Sequence, residues 1–495
     1  MAKVLKNRER NGQDKHQDKF QDNYQNNNGV TQQSLSTGLF VRSLALARLA
    51  FTTSGELWKM KGVADLIGDV QCAPEKRAEL QLKLEEQARE IAKELGTLKG
   101  SVMKVGQLLS MYGEHFLPPQ VNSILKSLQA NTPPLDWKSI EPFVKSELKD
   151  RFEDLEINPH AMAAASIGQV HAAKIKNTGE TIALKIQYPG VERAISSDMK
   201  ALKAIVMFAP GLPRGPRMNE LVQEIEEMLH REIDYGAEAD CTEKFGAHLA
   251  GDARYVVPEI RRNWCTSKVL ASEMICGHRL DSPELRSISQ ERRNALADSL
   301  LELFLRELFE FGCVQTDPHI GNYRVRLRGE MTCDGRRVEQ DCIVLLDFGA
   351  VRNFDRGFLS NYQKLLASSL SQKRDEVLRA SLDLGFLLPC DPPAVHDAFY
   401  DFCRLVVEPF DPAGADSNGR NYFEADGSYD WRNNTLPNRL AEQLVQVIKA
   451  RELRAPPREA VFLDRKSSGL YILLSTLGAK TKAHEKIGMA LRPKF

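Results

Sequence analysis

An excess of charge of either sign is missing from this chain. Its 495 residues include 67 basic and 67 acidic side chains, so the formal net charge is zero. Proteins dedicated to nucleic-acid binding normally carry a basic excess, and the balance therefore argues against that class. Aromatic residues are also few, at 7%, but 42% of the residues are hydrophobic, which is ordinary globular usage and excludes wholesale disorder. At about 150 residues per domain, the length predicts roughly three units, or one large bilobal domain with an extension.

Closely spaced cysteines and long apolar runs are absent as well. The nine cysteines form no CxxC pair, which predicts buried, reduced thiols rather than a disulfide framework or a zinc ribbon. No run approaches the ~18 consecutive apolar residues of a membrane-spanning helix. No apolar segment typical of a secretory signal follows the first residues, and the acids between positions 9 and 22 are untypical of a transit peptide. We therefore expect a cytoplasmic location, with any contact at the inner membrane being peripheral.

Changes in composition divide the chain into four parts. Residues 1–35 are a polar leader, which we expect to be disordered because it buries too little apolar surface to offset chain entropy. Residues 36–130 are predicted to form a helical extension. Residues 131–275 predict strands together with one long helix over about 217–250, and residues 276–495 predict mostly helices.

The clearest helical pattern lies within the extension. Apolar residues recur at alternating spacings of four and three from Leu84 to Leu109 and form one stripe. At about 100° per residue, Lys104 and Gln107 fall roughly opposite that stripe. Periodicity alone leaves two interpretations open, a solvated polar face or a face that presents a cation and an amide to a site.

Residues that can carry chemistry follow one another in a characteristic order. A loop of small residues precedes a strand with Lys185, an acidic helix follows, and then come Asp317-xxxx-Asn322 and the Asp-Phe-Gly triplet that begins at Asp347. Each piece alone is common by chance. The order, with the spacing of five from Asp317 to Asn322, is that of a protein-kinase-like phosphotransfer site. We therefore predict an α+β, bilobal protein-kinase-like fold with a mostly helical C-lobe.

These residue types suit phosphoryl transfer from ATP, which depends on positioning and charge neutralisation. Lys185 would extend its ammonium to the α- and β-phosphates. Asn322 and Asp347 offer the hard oxygen ligands that Mg²⁺ prefers. Asp317 would accept a proton from the acceptor hydroxyl or orient that hydroxyl.

Two segments are predicted to contact the nucleotide through their backbone. The hinge that receives adenine is assigned to Glu273, Met274 and Ile275, between a strand and Gly277. The phosphate loop is assigned to the small residues before the lysine strand: Ala163, Ala164, Ala165, Ser166 and Gly168.

Three features depart from ordinary protein kinases. Gln315 and Thr316 stand where His-Arg precedes the catalytic aspartate, and the phosphate loop has one glycine instead of three. No Ala-Pro-Glu follows Asp347 within forty residues, which argues against the peptide-binding platform of a typical kinase.

With these motifs the chain resembles the UbiB/AarF/ADCK family of atypical kinase-like proteins, which is associated with ubiquinone (coenzyme Q) biosynthesis. The resemblance spans roughly residues 36–480. It rests on six matching segments: KVGQ at 104–107, AAASIGQVH at 163–171, KIQYPGV at 185–191, EID at 232–234, QTDP at 315–318 and LLDFGAVR at 345–352.

The resemblance implies a role for the extension. In the family, the helix with the Lys-x-Gly-Gln motif folds over the nucleotide site, where a typical kinase admits its peptide. Lys104 and Gln107 of the extension (36–130) would then point inward and occlude the cleft.

The resemblance also implies a partner for each of the two lysines. Glu232 and Asp234 are two positions apart and cannot face one way on a regular helix, whereas Asp234 and Glu238 can. We assign Glu238 to Lys185, as the αC glutamate of kinases, and the Glu232/Asp234 motif to Lys104. The reverse assignment is left open.

Together these expectations describe an ATP- and Mg²⁺-binding phosphotransferase or ATPase that supports ubiquinone or related isoprenoid-lipid metabolism. Two alternatives remain, a protein kinase acting in trans and a nucleotide-binding scaffold of a biosynthetic complex. The expected partners are the nucleotide, a quinone precursor or lipid, and biosynthetic-complex proteins, with no nucleic acid. The phosphate acceptor is left open by the residues themselves.

Overall fold

The computed structural model describes the greater part of the chain from residue 134 onward, in the ranges 134–165, 167–196, 199, 216–413, 421–450 and 457–491. The predicted leader (1–35) and extension (36–130) lie outside these ranges. So do three residues with predicted roles: Lys104, Gln107 and Ser166.

The main helices and strands are numbered here in chain order. The helices are α1 (Trp137–Leu148), α2 (Pro216–Glu232), α3 (Tyr235–His248), α4 (Pro283–Ser287), α5 (Gln290–Arg306), α6 (Arg356–Leu370), α7 (Arg374–Asp383), α8 (Pro393–Val406), α9 (Leu436–Ala450), α10 (Arg458–Leu477) and α11 (Ala483–Ala490). The strands are β1 (Leu155–Ala164), β2 (Gly168–Ile175), β3 (Thr181–Gln187), β4 (Tyr255–Val256), β5 (Val269–Glu273), β6 (Cys313–Gln315), β7 (Tyr323–Arg326), β8 (Cys342–Leu345), β9 (Val351–Asn353), β10 (Tyr429–Asp430) and β11 (Lys480–Thr481).

A four-stranded antiparallel sheet, in the order β1-β2-β3-β5, forms the first lobe. Side chains alternate between the two faces of a strand. On β3, Ile182, Leu184 and Ile186 are buried in the apolar core beneath α1. Lys185 therefore lies on the opposite face of the sheet, which is the face turned to α3.

The long helix predicted over about 217–250 is broken, and that prediction is wrong. Helix α2 ends at Glu232 and α3 begins at Tyr235. Asp234 leaves helical geometry, with φ −92° and ψ 83°, and its carboxylate accepts the N–H of Ala237 as an N-cap. Aspartate is a strong N-cap residue because its oxygen satisfies a backbone donor that the first helical turn leaves unpaired.

The second lobe is mostly helical, as predicted, and its short strands pair as β4-β8-β7, β6-β9 and β10-β11. Helix α5 packs into the core of this lobe. Leu296, Leu300, Leu303 and Phe304 recur at helical spacing, so they share one face of the helix, and all four are buried. Pairing of β6 with β9 brings together the segments that follow β6 and β8. The fold is thus the predicted α+β, bilobal one. Within the described ranges, no helix has the length and apolar content that a membrane span requires.

The expectation of reduced cysteines is wrong for one pair. Cys276, just after β5, is bonded to Cys333 in the loop between β7 and β8, with a Cα–Cα distance of 5.9 Å. The two residues are 57 positions apart, so no local spacing indicates the bond. Among the other described cysteines, Cys313, Cys342 and Cys403 are buried thiols.

His171 of β2 is held neutral by its neighbours. Its Nδ1 lies 2.7 Å from the carbonyl oxygen of Asn158, and its Nε2 lies 2.8 Å from the amide nitrogen of Gln169. A carbonyl only accepts, so Nδ1 carries the proton and Nε2 accepts from the Gln169 amide. Burial lowers the pKa of His171, and the hydrogen bond to Asn158 offsets this only in part.

We expect the free energy of unfolding to fall as the pH drops below about 6.5, the ordinary histidine pKa. The unfolded chain then binds a proton that folded His171 does not, at a cost of up to about 1.4 kcal/mol per pH unit until the lowered folded pKa is reached. Urea unfolding at about pH 7 and about pH 5.5 measures the loss. His171→Asn should lose less over the same interval, and equal losses would contradict the assignment.

Candidate active site

Lys185 is the centre of a charged cluster on the α3-facing side of the sheet. Its Nζ lies 2.7 and 2.8 Å from the two carboxylate oxygens of Glu238, and 3.4 Å from Oδ2 of Asp347. Strand β3 supplies the lysine, the first turn of α3 supplies the glutamate, and the segment after β8 supplies the aspartate. Residues 53 and 162 positions away are thus brought to one ammonium.

Glu238 is buried and Lys185 largely so, with side chains 3% and 20% exposed, and this burial sets their electrostatics. Burial raises the pKa of Glu238 to about 7, although Lys185 opposes that shift. For Lys185, burial lowers the pKa, but Asp347 and Glu238 outweigh it and raise the pKa well above its usual value. The ring of Tyr235 lies 5.1 Å from the ammonium and adds a cation–π contact. Lys185 therefore stays charged at neutral pH.

Asp317 and Asn322 lie in the loop after β6 and are joined to each other. The Asn322 amide nitrogen donates to the backbone oxygen of Asp317 at 3.0 Å and to its Oδ2 at 3.2 Å. Because the amide NH₂ is turned toward Asp317, the amide oxygen of Asn322 is the atom left to serve a cation.

The donor set fits Mg²⁺. Asp347 supplies a carboxylate whose Oδ1 accepts the N–H of Gly349 at 3.0 Å, which fixes its rotamer. Asn322 supplies an amide oxygen, and both are hard ligands that Mg²⁺ combines with water and phosphate oxygens. Among the described residues, no three acidic, histidine or cysteine side chains cluster as an all-protein metal site. A nucleotide-bound Mg²⁺ is usually held by one or two protein oxygens, with waters and phosphates as its other ligands.

Gln315 and Thr316 stand where kinases have His-Arg. They connect the loop 316–322, called the catalytic loop below for its proposed role, to the segment after β8. The Gln315 amide nitrogen donates to the backbone oxygens of Asp317 at 2.9 Å and of Asp347 at 3.4 Å. The Thr316 hydroxyl donates to the backbone oxygen of Ala350 at 2.8 Å. Both side chains are buried. Gln315 and Thr316 therefore fix the positions of Asp317 and Asp347 relative to each other through hydrogen bonds to the backbone.

The alanine-rich segment is less of a loop than predicted. Ala163 and Ala164 are the last residues of β1 and pair with Val170 and Gln169 of β2. Ala165 and Ile167 lie outside the two strands, and the N–H of Ala165 donates to the backbone oxygen of Gly168 at 2.8 Å, at the connection between them. The assignment of Ala163, Ala164 and Gly168 to a loop is therefore wrong, because side chains this small also fit a sheet edge.

Gly168 has a packing role that its sequence position did not reveal. A Cβ at this position would lie 2.5 Å from the backbone oxygen of Ile186 and 2.7 Å from the hydroxyl of Tyr235. Such contacts are not tolerated without a shift of β3 or α3. Glycine here lets the turn lie directly over the strand that carries Lys185.

We expect Ala165→Gly to raise ATP affinity or autophosphorylation while lowering turnover. None of the three alanines has a positive φ, and glycine would open conformations that let backbone N–H groups approach phosphates differently. The effect should be about 1–2 kcal/mol, comparable to a strained backbone conformation. Nucleotide titration and product analysis test it, and unchanged affinity with unchanged products would show that the alanines are only a structural variant.

The predicted hinge lies at the junction of the two lobes. Strand β5 ends at Glu273, whose N–H donates to the backbone oxygen of Glu259 at 2.8 Å. Residues 274–277 then cross to His278, whose backbone exchanges two hydrogen bonds of 2.8 Å with Val325 of β7. Glu273 and Ile275 therefore lie where a hinge must be, and their contact with adenine stays a prediction.

The carboxylates that lie within ion-pair distance of the ammonium of Lys185 are those of Glu238 and Asp347. Asp234 caps α3, and Glu232 ends α2 close enough to raise the pKa of buried Glu238. Lys185 pairs instead with Glu238, which matches the first of the two assignments. The assignment of Glu232 and Asp234 to Lys104 falls on a residue outside the described ranges and stays a prediction.

Two site residues were missed at the level of sequence. Tyr235 lies beside the EID motif, but nothing in its position indicates that the ring contacts Lys185. Arg465 of α10 donates from its guanidinium to Oδ1 of Asp317, although it is 148 residues away and belongs to no motif. An arginine inside an apolar helix was the available signal, and it is a weak one.

Comparison with known proteins agrees with this geometry. The ABC1 atypical kinase-like domain matches residues 127–381, more than half of the chain. The chain is 33% identical to "Atypical kinase COQ8B, mitochondrial" of Rattus norvegicus over 399 residues, which cover 80% of this chain and 70% of the relative. It is 31% identical to "Atypical kinase COQ8, mitochondrial" of Saccharomyces cerevisiae over 393 residues, covering 79% and 73%. A solved structure, the complex of Rv3197 with erythromycin from Mycobacterium tuberculosis, matches with a TM-score of 0.55 and 25% identity over 85% of this chain and 99% of that one. This chain therefore belongs to the ABC1 family of atypical kinase-like proteins, and its relatives include the atypical kinases COQ8 and COQ8B.

Proposed function

We propose that this chain binds ATP with Mg²⁺ between its lobes and transfers or hydrolyses the γ-phosphoryl group in support of ubiquinone or related isoprenoid-lipid metabolism. The observation that carries the proposal is the convergence of Glu238 and Asp347 on the ammonium of Lys185, next to the hydrogen-bonded pair of Asp317 and Asn322. Burying such charges costs free energy unless they are paired. A buried lysine with perturbed neighbours in a cleft is typical of a functional site.

Each residue has a role that its contacts support. Glu238 orients the ammonium of Lys185 toward the α- and β-phosphates. Asp347 and Asn322 would hold Mg²⁺, which would neutralise phosphate charge. Asp317 is placed to accept a proton from, or to orient, the attacking hydroxyl. The connection between β1 and β2 and the hinge at 273–275 would border the nucleotide.

The acceptor is proposed to be water or a small hydroxyl compound rather than a peptide. The chain lacks an Ala-Pro-Glu within forty residues of Asp347, and the family's Lys-x-Gly-Gln helix would occupy the place of a peptide. The family's link to ubiquinone biosynthesis supplies the setting, so a phenolic quinone precursor or lipid, biosynthetic-complex proteins and a peripheral membrane contact are proposed partners.

ATP turnover by the purified full chain tests the proposal, measured with and without quinone-precursor-like phenols and anionic liposomes. We expect Mg²⁺-dependent phosphate release that phenols or liposomes increase and that Asp317→Asn lowers by about 10²-fold or more. Asp281→Asn is the matched control, because Asp281 pairs with Arg279 at the surface, 2.9 Å away, and should turn over ATP at the wild-type rate.

Two results would contradict the proposal. If Asp317→Asn hydrolysed ATP at the wild-type rate, the measured activity would not depend on this site. ³²P transfer from ATP to a protein substrate, lost in Asp317→Asn and without phosphate release, would replace the proposal with a protein kinase acting in trans.

A further inference from the structure

Helix α10 lies beyond residues 127–381, the part of the chain that the ABC1 domain matches. It nevertheless contacts the catalytic loop of the proposed phosphotransfer site. Arg465 contacts Asp317 and Gly469 lies against Pro318. At helical spacing from them, Phe462 packs under Arg352 of β9 and Lys466 pairs with Glu307. Positions i, i+3, i+4 and i+7 share one face of a helix, so a single face of α10 follows the active-site segments.

The closest approach is between Gly469 and Pro318, the residue after Asp317. A Cβ at position 469 would lie 2.1 Å from Cγ of Pro318, a distance that excludes every side chain at the present separation. The helix backbone therefore packs directly against the catalytic loop. One turn earlier on the same face is Arg465.

The guanidinium of Arg465 donates to Oδ1 of Asp317, while the amide of Asn322 donates to Oδ2 at 3.2 Å. Each carboxylate oxygen thus has its own donor, so rotation of the carboxylate would break both hydrogen bonds. The side chains of Arg465 and Asp317 are only 22% and 18% exposed. Partial burial makes this charge-assisted hydrogen bond stronger than a surface ion pair.

The neighbouring residue, Lys466, holds the other end of the same loop. Its Nζ lies 2.9 Å from Oε2 of Glu307, and both side chains are buried. Glu307 in turn accepts the backbone N–H of Gln315. Arg465 therefore contacts Asp317 directly, and Lys466 is linked to Gln315 through Glu307.

We propose that Arg465 is a positioning residue for Asp317, and that α10 holds the catalytic loop in the geometry that phosphoryl transfer requires. The inference rests on the proposed function, because it assigns Asp317 its role there. Arg465 acts through Asp317, whose carboxylate it contacts directly. Its loss should therefore reduce the chemical step and leave nucleotide binding intact.

The test is a steady-state comparison of full-length variants, with MgATP affinity measured separately by titration. We expect Arg465→Gln to lower kcat about 10- to 100-fold, the scale of a misplacement of about 1 Å. Its KM and Kd for MgATP should stay within about twofold of the wild type. Arg465→Lys keeps a cation at one donor and should recover part of kcat, although it loses the planar fork of the guanidinium.

Two further variants make the result interpretable. Arg458→Gln removes an arginine from the same helix whose guanidinium pairs with Glu227 at 3.1 Å, away from the loop, and should leave kcat unchanged. Gly469→Ala alters no charge, yet it pushes Pro318 away, and it should lower kcat without changing MgATP affinity. If Arg465→Gln does not fold, judged by its melting curve, Arg465→Lys and Gly469→Ala still decide the question.

The inference is overturned if Arg465→Gln keeps the wild-type kcat while Asp317→Asn is inactive. If Arg465→Gln does not fold, the same holds when both Arg465→Lys and Gly469→Ala keep the wild-type kcat. It is equally overturned if kcat falls only in proportion to lost MgATP affinity, since Arg465 would then act on the nucleotide. Failure of the proposed function looks different, because Asp317→Asn would then match the wild type, and the role of Arg465 would fall with it.

Discussion

Replacing Lys466 with methionine is expected to lower the free energy of unfolding by about 3–5 kcal/mol. The Nζ of Lys466 lies 2.9 Å from Glu307, and their side chains are 4% and 1% exposed. Removing the cation leaves a buried carboxylate with its main compensating charge gone. Loss of one partner from a buried ion pair is much more costly than loss of the whole pair. Urea unfolding of the full chain, monitored with a spectroscopic probe in the helical lobe, measures the change in free energy.

Matched variants separate charge from packing. Glu307→Gln combined with Lys466→Met should recover a large part of the lost stability, because no uncompensated charge then remains. Lys482→Met removes a lysine from an exposed pair with Glu485, 3.7 Å apart, and should cost less than about 1 kcal/mol.

The loss in Lys466→Met should also depend on pH. Burial raises the pKa of Glu307, and Lys466 opposes that shift, so removal of the lysine raises the pKa further. A folded-state pKa above the unfolded value stabilises the protein at low pH and ceases to do so as the pH rises through it. The deficit relative to the wild type should therefore be smaller at about pH 5.5 than at about pH 8, and a deficit independent of pH would contradict this account.

Replacing Asp347 with asparagine is expected to abolish the Mg²⁺-dependent part of ATP binding. The substitution removes the carboxylate proposed to hold the metal and leaves a neutral amide of the same shape. The pairing of Lys185 with Glu238 at 2.7 Å is independent of Asp347, so the fold should persist. Isothermal titration with ATP in the presence of Mg²⁺ and of EDTA gives the metal-dependent affinity directly.

Asp317→Asn provides the contrasting case. Asp317 is placed to act on the acceptor, so this variant should bind MgATP like the wild type while turnover falls by about 10²–10⁴-fold. Asp347→Asn should lose both binding and turnover. Unchanged metal-dependent affinity in Asp347→Asn would remove the kinase-like metal site from consideration.

The chemistry-bearing residues were predictable because they occur in motifs with a fixed order. The alternation of β3 placed Lys185 on one face, and the spacing of Asp317 and Asn322 predicted that they share a loop. The structure joins both pairs, Lys185 with Glu238 and Asp317 with Asn322. Periodicity could not show that Asp234 would end one helix and cap the next, because capping competes with continuation of the helix at a single residue.

Several features depend on contacts between distant parts of the chain and have no local signal. The bond between Cys276 and Cys333 needs the β7–β8 turn to return to the hinge. The pairing of Lys466 with Glu307 joins two residues that are far apart in the sequence and belong to no common motif. Tertiary packing overrides local propensity at such positions, and burial decides which charges must pair.

The sequence by itself determined the family, the two-lobed α+β fold and the candidate identities of the lysine, the aspartates and the asparagine, because phosphoryl transfer demands particular side chains in a particular order along the chain. Only the tertiary structure decided which carboxylate meets Lys185 and which helix supports Asp317. Those choices depend on where a helix breaks at Asp234 and on how closely Gly469 lets α10 approach Pro318. Both are consequences of steric fit and burial, which act between residues that are far apart in sequence.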